Sequence, residues 1–113
     1  MKDDRVYLWH IRDCLQRIFD YTQAGEAAFF RDTKTQDAVI RNLEVIGEAA
    51  RNLSPTFKSI RPEIPWVKIS DLRNKLIPEY FGVNLNIIWD IITEVLPGFL
   101  RQILEILAAW EKD

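Results

Sequence analysis

The sequence is poor in the side chains on which many enzymes and metal sites depend. Its 113 residues include one histidine, His10, and one cysteine, Cys14. A single histidine excludes a histidine-based metal cluster, and a single cysteine excludes an internal disulfide. No apolar run reaches the roughly 18 residues that a membrane-spanning helix needs. The lone cysteine, together with an N-terminus that has no signal-peptide pattern, predicts a cytoplasmic protein.

A strong net charge is also lacking. Fifteen Lys and Arg residues stand against 17 Asp and Glu residues, which gives a net charge of -2. This balance argues against binding of nucleic acid by overall charge alone. The charges are unevenly distributed, however: residues 41–75 carry seven basic and four acidic side chains, and residues 76–113 carry two basic and six acidic ones. An anionic ligand is therefore expected near the middle of the chain.

Strand signals are absent, and apolar residues recur instead at helical spacing. Four apolar stripes predict helices over about residues 4–22, about 35–53, between Pro65 and Pro78, and from Asn84 to Trp110. Pro97 should kink or break the last helix near Val95. Residues 23–34 are expected to form a longer connection whose Phe29 and Phe30 pack back onto the helices. The predicted fold is all-α, a single four- or five-helix bundle over residues 1–113.

Several residues are suited to begin these helices. Asp32, Thr33 or Thr35 could cap the second helix, Ser54 a short following turn, and Asn84 the last helix. The four tryptophans and the many phenylalanines exceed what a small core needs, and the surplus would suit a subunit interface.

The segment from Ser70 to Asn84 carries a recognisable motif. It reads SDLRNKLIPEYFGVN and resembles the signature of the HepT-like branch of the HEPN domains, in which Arg-Asn is followed after a short spacer by His, one residue and Tyr. Residues 37–50 and the tripeptides at 64–66 and 88–90 are also similar to that family. The chain is therefore identified as a member of the HepT-like family.

The resemblance implies the toxin half of a toxin–antitoxin pair. Members of the family are metal-independent ribonucleases without a cofactor, and they form homodimers whose motifs face a shared cleft. Their RNA substrates include tRNA, and their antitoxin is an MNT-type nucleotidyltransferase that transfers AMP to the motif tyrosine. By this resemblance Arg73 is the catalytic arginine, Asn74 its motif neighbour and Tyr80 the site of AMPylation.

The family's histidine position is occupied by Pro78. Metal-free RNA cleavage needs proton transfers, which histidine performs near neutral pH, and a cation that stabilises charge on phosphorus, which arginine supplies. Proline cannot transfer a proton, and that step contributes roughly 10²–10⁴-fold to the rate. The chain is therefore predicted to be a weak or inactive nuclease. Pro78 is explained either by an inactivating change or by natural degeneration of a member that still pairs with its antitoxin.

Each candidate residue also has a plainer interpretation. Arg73 could be an ordinary surface charge, Tyr80 could cover an edge of the core, and Asn74 could brace a helix end. The alternative function is a non-catalytic helical module that binds a nucleotidyltransferase or a nucleotide without cutting RNA.

Three other features suggest chemistry less strongly. His10 lies off the apolar stripe of the first helix and is expected to be solvated, and Cys14 is expected to be an ordinary free thiol. Glu44 and Glu48 share a helix face, where salt links to Arg41 and Arg51 are expected in preference to a carboxylate site.

Overall fold

Helices account for all the regular secondary structure that a computed structural model of the chain describes, over residues 3–72 and 84–112. In chain order these elements are α1 (Asp4–Tyr21), α2 (Glu26–Arg31), α3 (Thr33–Asn52), α4 (Pro55–Ile60), α5 (Trp66–Ser70), α6 (Leu85–Asp90), a π-helical turn (Ile91–Val95) and α7 (Leu96–Lys112). The all-α prediction is confirmed. Within residues 3–72 and 84–112, no helix combines the length and the hydropathy that a membrane span requires.

The core is formed where the apolar stripe of α1 meets those of α3 and α7. Helix α1 packs along α3 and also contacts α7. Fully buried side chains include Leu15 of α1, Leu43 of α3 and Ile103 of α7. Burial of each such side chain contributes roughly 1.5–3 kcal/mol. Among the described residues no polar or charged side chain is buried, so the interior between these helices is wholly apolar.

The helix starts follow the capping residues that the sequence offers. Among the three candidates for α3, Asp32 is the cap: its carboxylate accepts hydrogen bonds from the amides of Lys34 at 3.0 Å and Thr35 at 3.4 Å. The hydroxyl of Ser54 accepts a hydrogen bond from the Phe57 amide at 3.1 Å and so caps α4. Such caps satisfy amides that have no partner inside the helix.

A second pair of hydrogen bonds joins Ser54 to the start of the chain. The Ser54 amide donates to one oxygen of Asp4 at 2.8 Å, and the Ser54 hydroxyl donates to the other at 2.7 Å. The carboxylate of the first residue of α1 therefore fixes the turn between α3 and α4. We refer to this pair as the Asp4–Ser54 latch.

The expected long connection over residues 23–34 contains a short helix, α2. Gly25 begins it with a φ of 94°, a conformation that glycine adopts readily and other residues avoid. Phe29 is 1% exposed and stacks on Trp89, with ring centroids 5.3 Å apart. The prediction that Phe29 packs inward is thus confirmed. A helix of six residues is too short for its apolar period to be recognised in the sequence.

The predicted irregularity near Pro97 is present as a widened turn, and the helix continues through it. In the π-helical turn the amide of Leu96 bonds to the carbonyl of Ile91, five residues earlier. Proline lacks an amide hydrogen, and its ring crowds the carbonyl four residues before it. A wider turn relieves that crowding. Of the two predicted forms, a kink near Val95 or a break into two helices, the break does not occur, because α6, the π-helical turn and α7 follow one another without interruption.

Candidate functional site

The four predicted site residues Arg73, Asn74, Pro78 and Tyr80 lie outside the described residues. Their predicted proximity therefore stays a prediction. The structure does describe the chain on both sides of the motif, up to Leu72 and again from Asn84.

The chain enters the motif from a well-packed helix, α5. The indole nitrogen of Trp66 donates a hydrogen bond to the carbonyl of Arg61 at 3.0 Å. The same ring makes edge contacts with Phe57 and Phe99, with centroid distances of 5.8 and 6.1 Å. Leu72, the last residue before the motif arginine, is 4% exposed. The core therefore holds the chain firmly immediately before Arg73.

The chain leaves the motif at a capped helix. The side-chain oxygen of Asn84 accepts hydrogen bonds from the amides of Asn86 at 2.9 Å and Ile87 at 3.4 Å. One turn later Ile88 is fully buried, and Trp89 stacks on Phe29. Asn84 thus begins α6 as predicted. Packed structure therefore flanks segment 73–83 on both sides, at Leu72 and from Asn84 onward.

The sole histidine lies in an open groove between α1 and α3. The groove has a volume of about 480 Å³, and its lining includes His10, Arg41, Glu44, Glu48 and Asn52. His10 is exposed, as predicted. The expected salt links are not confirmed: among the described residues neither Arg41 nor Arg51 forms a salt bridge. Exposed ion pairs contribute little to stability, so nothing forces these arginines to pair.

Cys14 is a buried thiol on α1. Its side chain is 3% exposed, and burial raises the pKa of the thiol, while the nearby charge of Arg17 opposes the rise. A protonated, buried thiol is a poor nucleophile. The prediction of an ordinary free cysteine is confirmed.

A second groove lies beside α5, where sequence reasoning proposed no site. It has a volume of about 580 Å³, and Arg51 and Lys58 both line it. The excess of basic residues over positions 41–75 was the available signal. That excess alone did not predict which of the seven basic side chains line the same groove. Within the part of the chain that the structure describes, no cluster of His, Cys, Asp and Glu could hold a metal ion.

Comparison with known proteins identifies a family. Residues 11–106 match the family described as ribonuclease HepT-like. A candidate RNase of Methanocaldococcus jannaschii is 45% identical over 107 residues, which cover 94% of this chain and 88% of the relative. A candidate RNase of Caldanaerobacter subterraneus subsp. tengcongensis is 41% identical over 108 residues, 95% of this chain and 96% of the relative.

A third relative, from Thermococcus cleftensis, is named as a candidate ribonuclease HepT. It is 42% identical over 98 residues, 86% of this chain and 89% of the relative. No solved structure matches the chain. The matched range contains the whole motif segment as well as α3, α5 and most of α7, and on this ground the chain belongs to the ribonuclease HepT-like family.

Proposed function

We propose that this chain is the toxin of a toxin–antitoxin pair, a metal-independent ribonuclease of the HEPN type whose activity is weakened or lost because Pro78 replaces the family histidine. The observation that supports this most directly is the family match over residues 11–106, which includes the entire motif. Residues 1–113 would form one HEPN domain. It places the protein in the cytoplasm, consistent with its unpaired Cys14.

The proposed chemistry assigns one task to each motif residue. Arg73 donates paired hydrogen bonds to the phosphate and stabilises the charge that develops on phosphorus. Asn74 is its motif neighbour in the cleft. A histidine at position 78 would accept or return a proton during attack of the 2′-hydroxyl on the adjacent phosphate. Pro78 leaves phosphate binding intact and removes the proton transfer.

Restoring the histidine tests this proposal. Pro78→His should raise RNA cleavage by roughly 10²–10⁴-fold, the usual contribution of a positioned acid or base. Its induced expression should arrest growth. The matched control is the double variant Pro78→His with Arg73→Ala, which should cut no RNA. Unimpaired growth and no cleavage by purified Pro78→His protein would contradict the proposed toxin.

Tyr80 is the proposed site of neutralisation by the partner nucleotidyltransferase. Its phenolic oxygen would bond to the α-phosphorus of ATP, with release of pyrophosphate and of the phenolic proton. Intact mass after co-expression with the partner should show one added AMP on the wild-type chain and none on Tyr80→Phe. An AMP-sized increment that persists in Tyr80→Phe would show that another residue is modified.

A homodimer is the proposed assembly. Most of the aromatic side chains are at least partly buried, yet Trp9 and Tyr21 of α1 are each 43% exposed. A small bundle with exposed aromatics would gain stability from a partner subunit. Light scattering should give a dimer mass in dilute solution. A monomer mass at every concentration would contradict this assembly.

The second candidate function is a non-catalytic module that binds the nucleotidyltransferase. Pro78 favours it, because the residue excludes the family's proton transfer. The residue at position 78 in the native gene discriminates the two functions. A native histidine supports only the toxin, whereas a native proline, with a stable complex and no cleavage by Pro78→His, supports the module.

A further inference from the structure

The groove beside α5 lies next to the start of the motif in the chain. We call it the basic groove, and its lining includes Arg51, Lys58, Ser59, Val67, Ser70 and Asp71. Helix α5 ends at Ser70, and Asp71 follows, two residues before Arg73. A ligand in this groove would therefore lie beside the chain that leads into the motif.

Two cations with free donors line the basic groove. Arg51 is exposed and makes no side-chain hydrogen bond or salt bridge to any described residue. The ammonium of Lys58 donates one hydrogen bond, to the carbonyl of Ala50 at 3.4 Å, and has two donors left. Asp71 is the one carboxylate of the described lining. The groove therefore has a net positive charge and is suited to an anion.

A purely structural role explains only part of this arrangement. Cations near the C-terminal end of a helix interact favourably with its last carbonyls, and Lys58 does so at Ala50 in the last turn of α3. That role does not account for Arg51, which bonds to no carbonyl in the described structure. It also does not account for the apolar side chains that line the same groove.

The apolar part of the groove is exposed to solvent at Val67. Val67 is 76% exposed, the most exposed of the large apolar side chains among the described residues, and it lines the groove together with Pro55 and Trp66. Ser59 donates its hydroxyl hydrogen to the carbonyl of Thr56 at 2.7 Å, so its oxygen can still accept a hydrogen bond. A chain of alternating phosphates and sugars offers anions, apolar ribose faces and 2′-hydroxyl donors at close intervals.

We propose that the basic groove binds the phosphodiester backbone of single-stranded RNA beside the motif. Arg51 and Lys58 contact phosphates, and Val67 packs against a ribose. This assignment rests on the proposed function, since it extends the same RNA site. An acidic segment of a partner protein would carry negative charge as RNA does. We favour RNA because Asp71 of the groove lies only two residues before Arg73 in the chain.

The binding experiment uses the chain as it is, because Pro78 allows RNA to bind without being cut. Fluorescence anisotropy is measured with a labelled, unstructured oligoribonucleotide at several salt concentrations. Arg51→Gln should weaken binding about three- to tenfold, the range expected for the loss of one ordinary hydrogen bond at an exposed site. It should also lower the slope of log affinity against log salt by about 0.7, the value for one phosphate contact on a single strand.

Two further variants separate the parts of the proposal. Val67→Ser should weaken binding without changing the salt slope, because it removes apolar contact and no charge. Lys34→Gln is the matched control: Lys34 is an exposed cation at the other end of α3, about 25 Å from Arg51 along the helix axis. Its RNA affinity should equal that of the wild-type chain. Both Arg51 and Val67 are exposed, so neither substitution should impair folding.

Wild-type affinity of Arg51→Gln and Val67→Ser would overturn the groove assignment. If Arg73→Ala then still weakens RNA binding, the proposed function stands without the groove. Absence of RNA binding by the wild-type chain, together with no cleavage by Pro78→His, overturns both. Weaker binding of the nucleotidyltransferase by Arg51→Gln, with RNA affinity unchanged, would assign the groove to the protein partner.

Discussion

Two opposing effects act on the thiol of Cys14. Cys14 is buried in the core of the bundle, and this burial favours the neutral thiol and raises its pKa. The positive charge of Arg17 favours the thiolate and lowers the pKa. Burial has the larger effect, so the pKa lies above the ordinary value of 9.0. The neutral thiol therefore stabilises the folded state below pH 9.0, and this contribution is lost as the pH rises through the folded pKa.

We predict that Cys14 resists thiol reagents in the folded protein. Near neutral pH its reaction with a disulfide reagent should be slower than in the denatured chain by roughly 100-fold or more, because exposing a core residue requires opening that costs several kcal/mol. Absorbance of the released thiolate measures both rates. Equal rates in the folded and denatured chain would show that α1 does not bury this side chain.

Two asparagines at the start of α6 allow the effect of the helix cap on stability to be measured. Asn84 caps it through two hydrogen bonds, and Asn86 is exposed two positions later. Asn84→Ala should destabilise the fold by about 1 kcal/mol, the usual loss for a helix cap. Asn86→Ala should be neutral or stabilising by a few tenths of a kcal/mol, because alanine is the better helix former. Urea denaturation measures both.

If the two variants lose the same stability, the cap has no special role at the end of segment 73–83. If only Asn84→Ala is destabilised, its effect on RNA cleavage can be compared in the Pro78→His background. A loss of cleavage at temperatures where the protein remains folded would indicate that the cap also positions the motif.

The long helices were predictable from the sequence, and the short helix α2 was not. The stripes of α1 and α3 repeat over several turns, and the observed bounds, Asp4–Tyr21 and Thr33–Asn52, lie within about two residues of the predicted ones. Helix α2 has too few turns to show a period. Pro97 marked the correct place for an irregularity, but its form depends on how α6 and α7 pack on the remainder of the bundle.

The whole molecule depends on one apolar interior. Leu43 is fully buried where α3 faces α1, and Leu104 of α7 is 40% exposed. Leu43→Ala should therefore cost about 2–5 kcal/mol of unfolding free energy. Leu104→Ala should cost less, about 1 kcal/mol, because part of its side chain is exposed in the folded state. Thermal or chemical unfolding checks both, and similar losses for the two variants would contradict this placement of the core.

Some residues of the candidate site could be predicted from the sequence, and others could be found only from the structure. Arg73, Asn74 and Tyr80 follow from a motif that is contiguous in the chain, so the sequence alone suffices to nominate them. The basic groove requires Arg51 at the end of α3 to meet Val67 on α5. These residues come together only because the turn at Ser54 and the packing of Trp66 fold α5 back against α3. A local sequence pattern does not predict that residues 16 positions apart will line the same groove.

Hydrogen exchange at the Asp4–Ser54 latch reports on the docking of α1. The Ser54 amide is held by a carboxylate 50 residues away at 2.8 Å, so its hydrogen can exchange with solvent only when α1 separates from the turn after α3. Exchange at this one backbone position therefore measures how often the first helix undocks. In a dimer built on α1, the same signal would slow as the protein concentration rises.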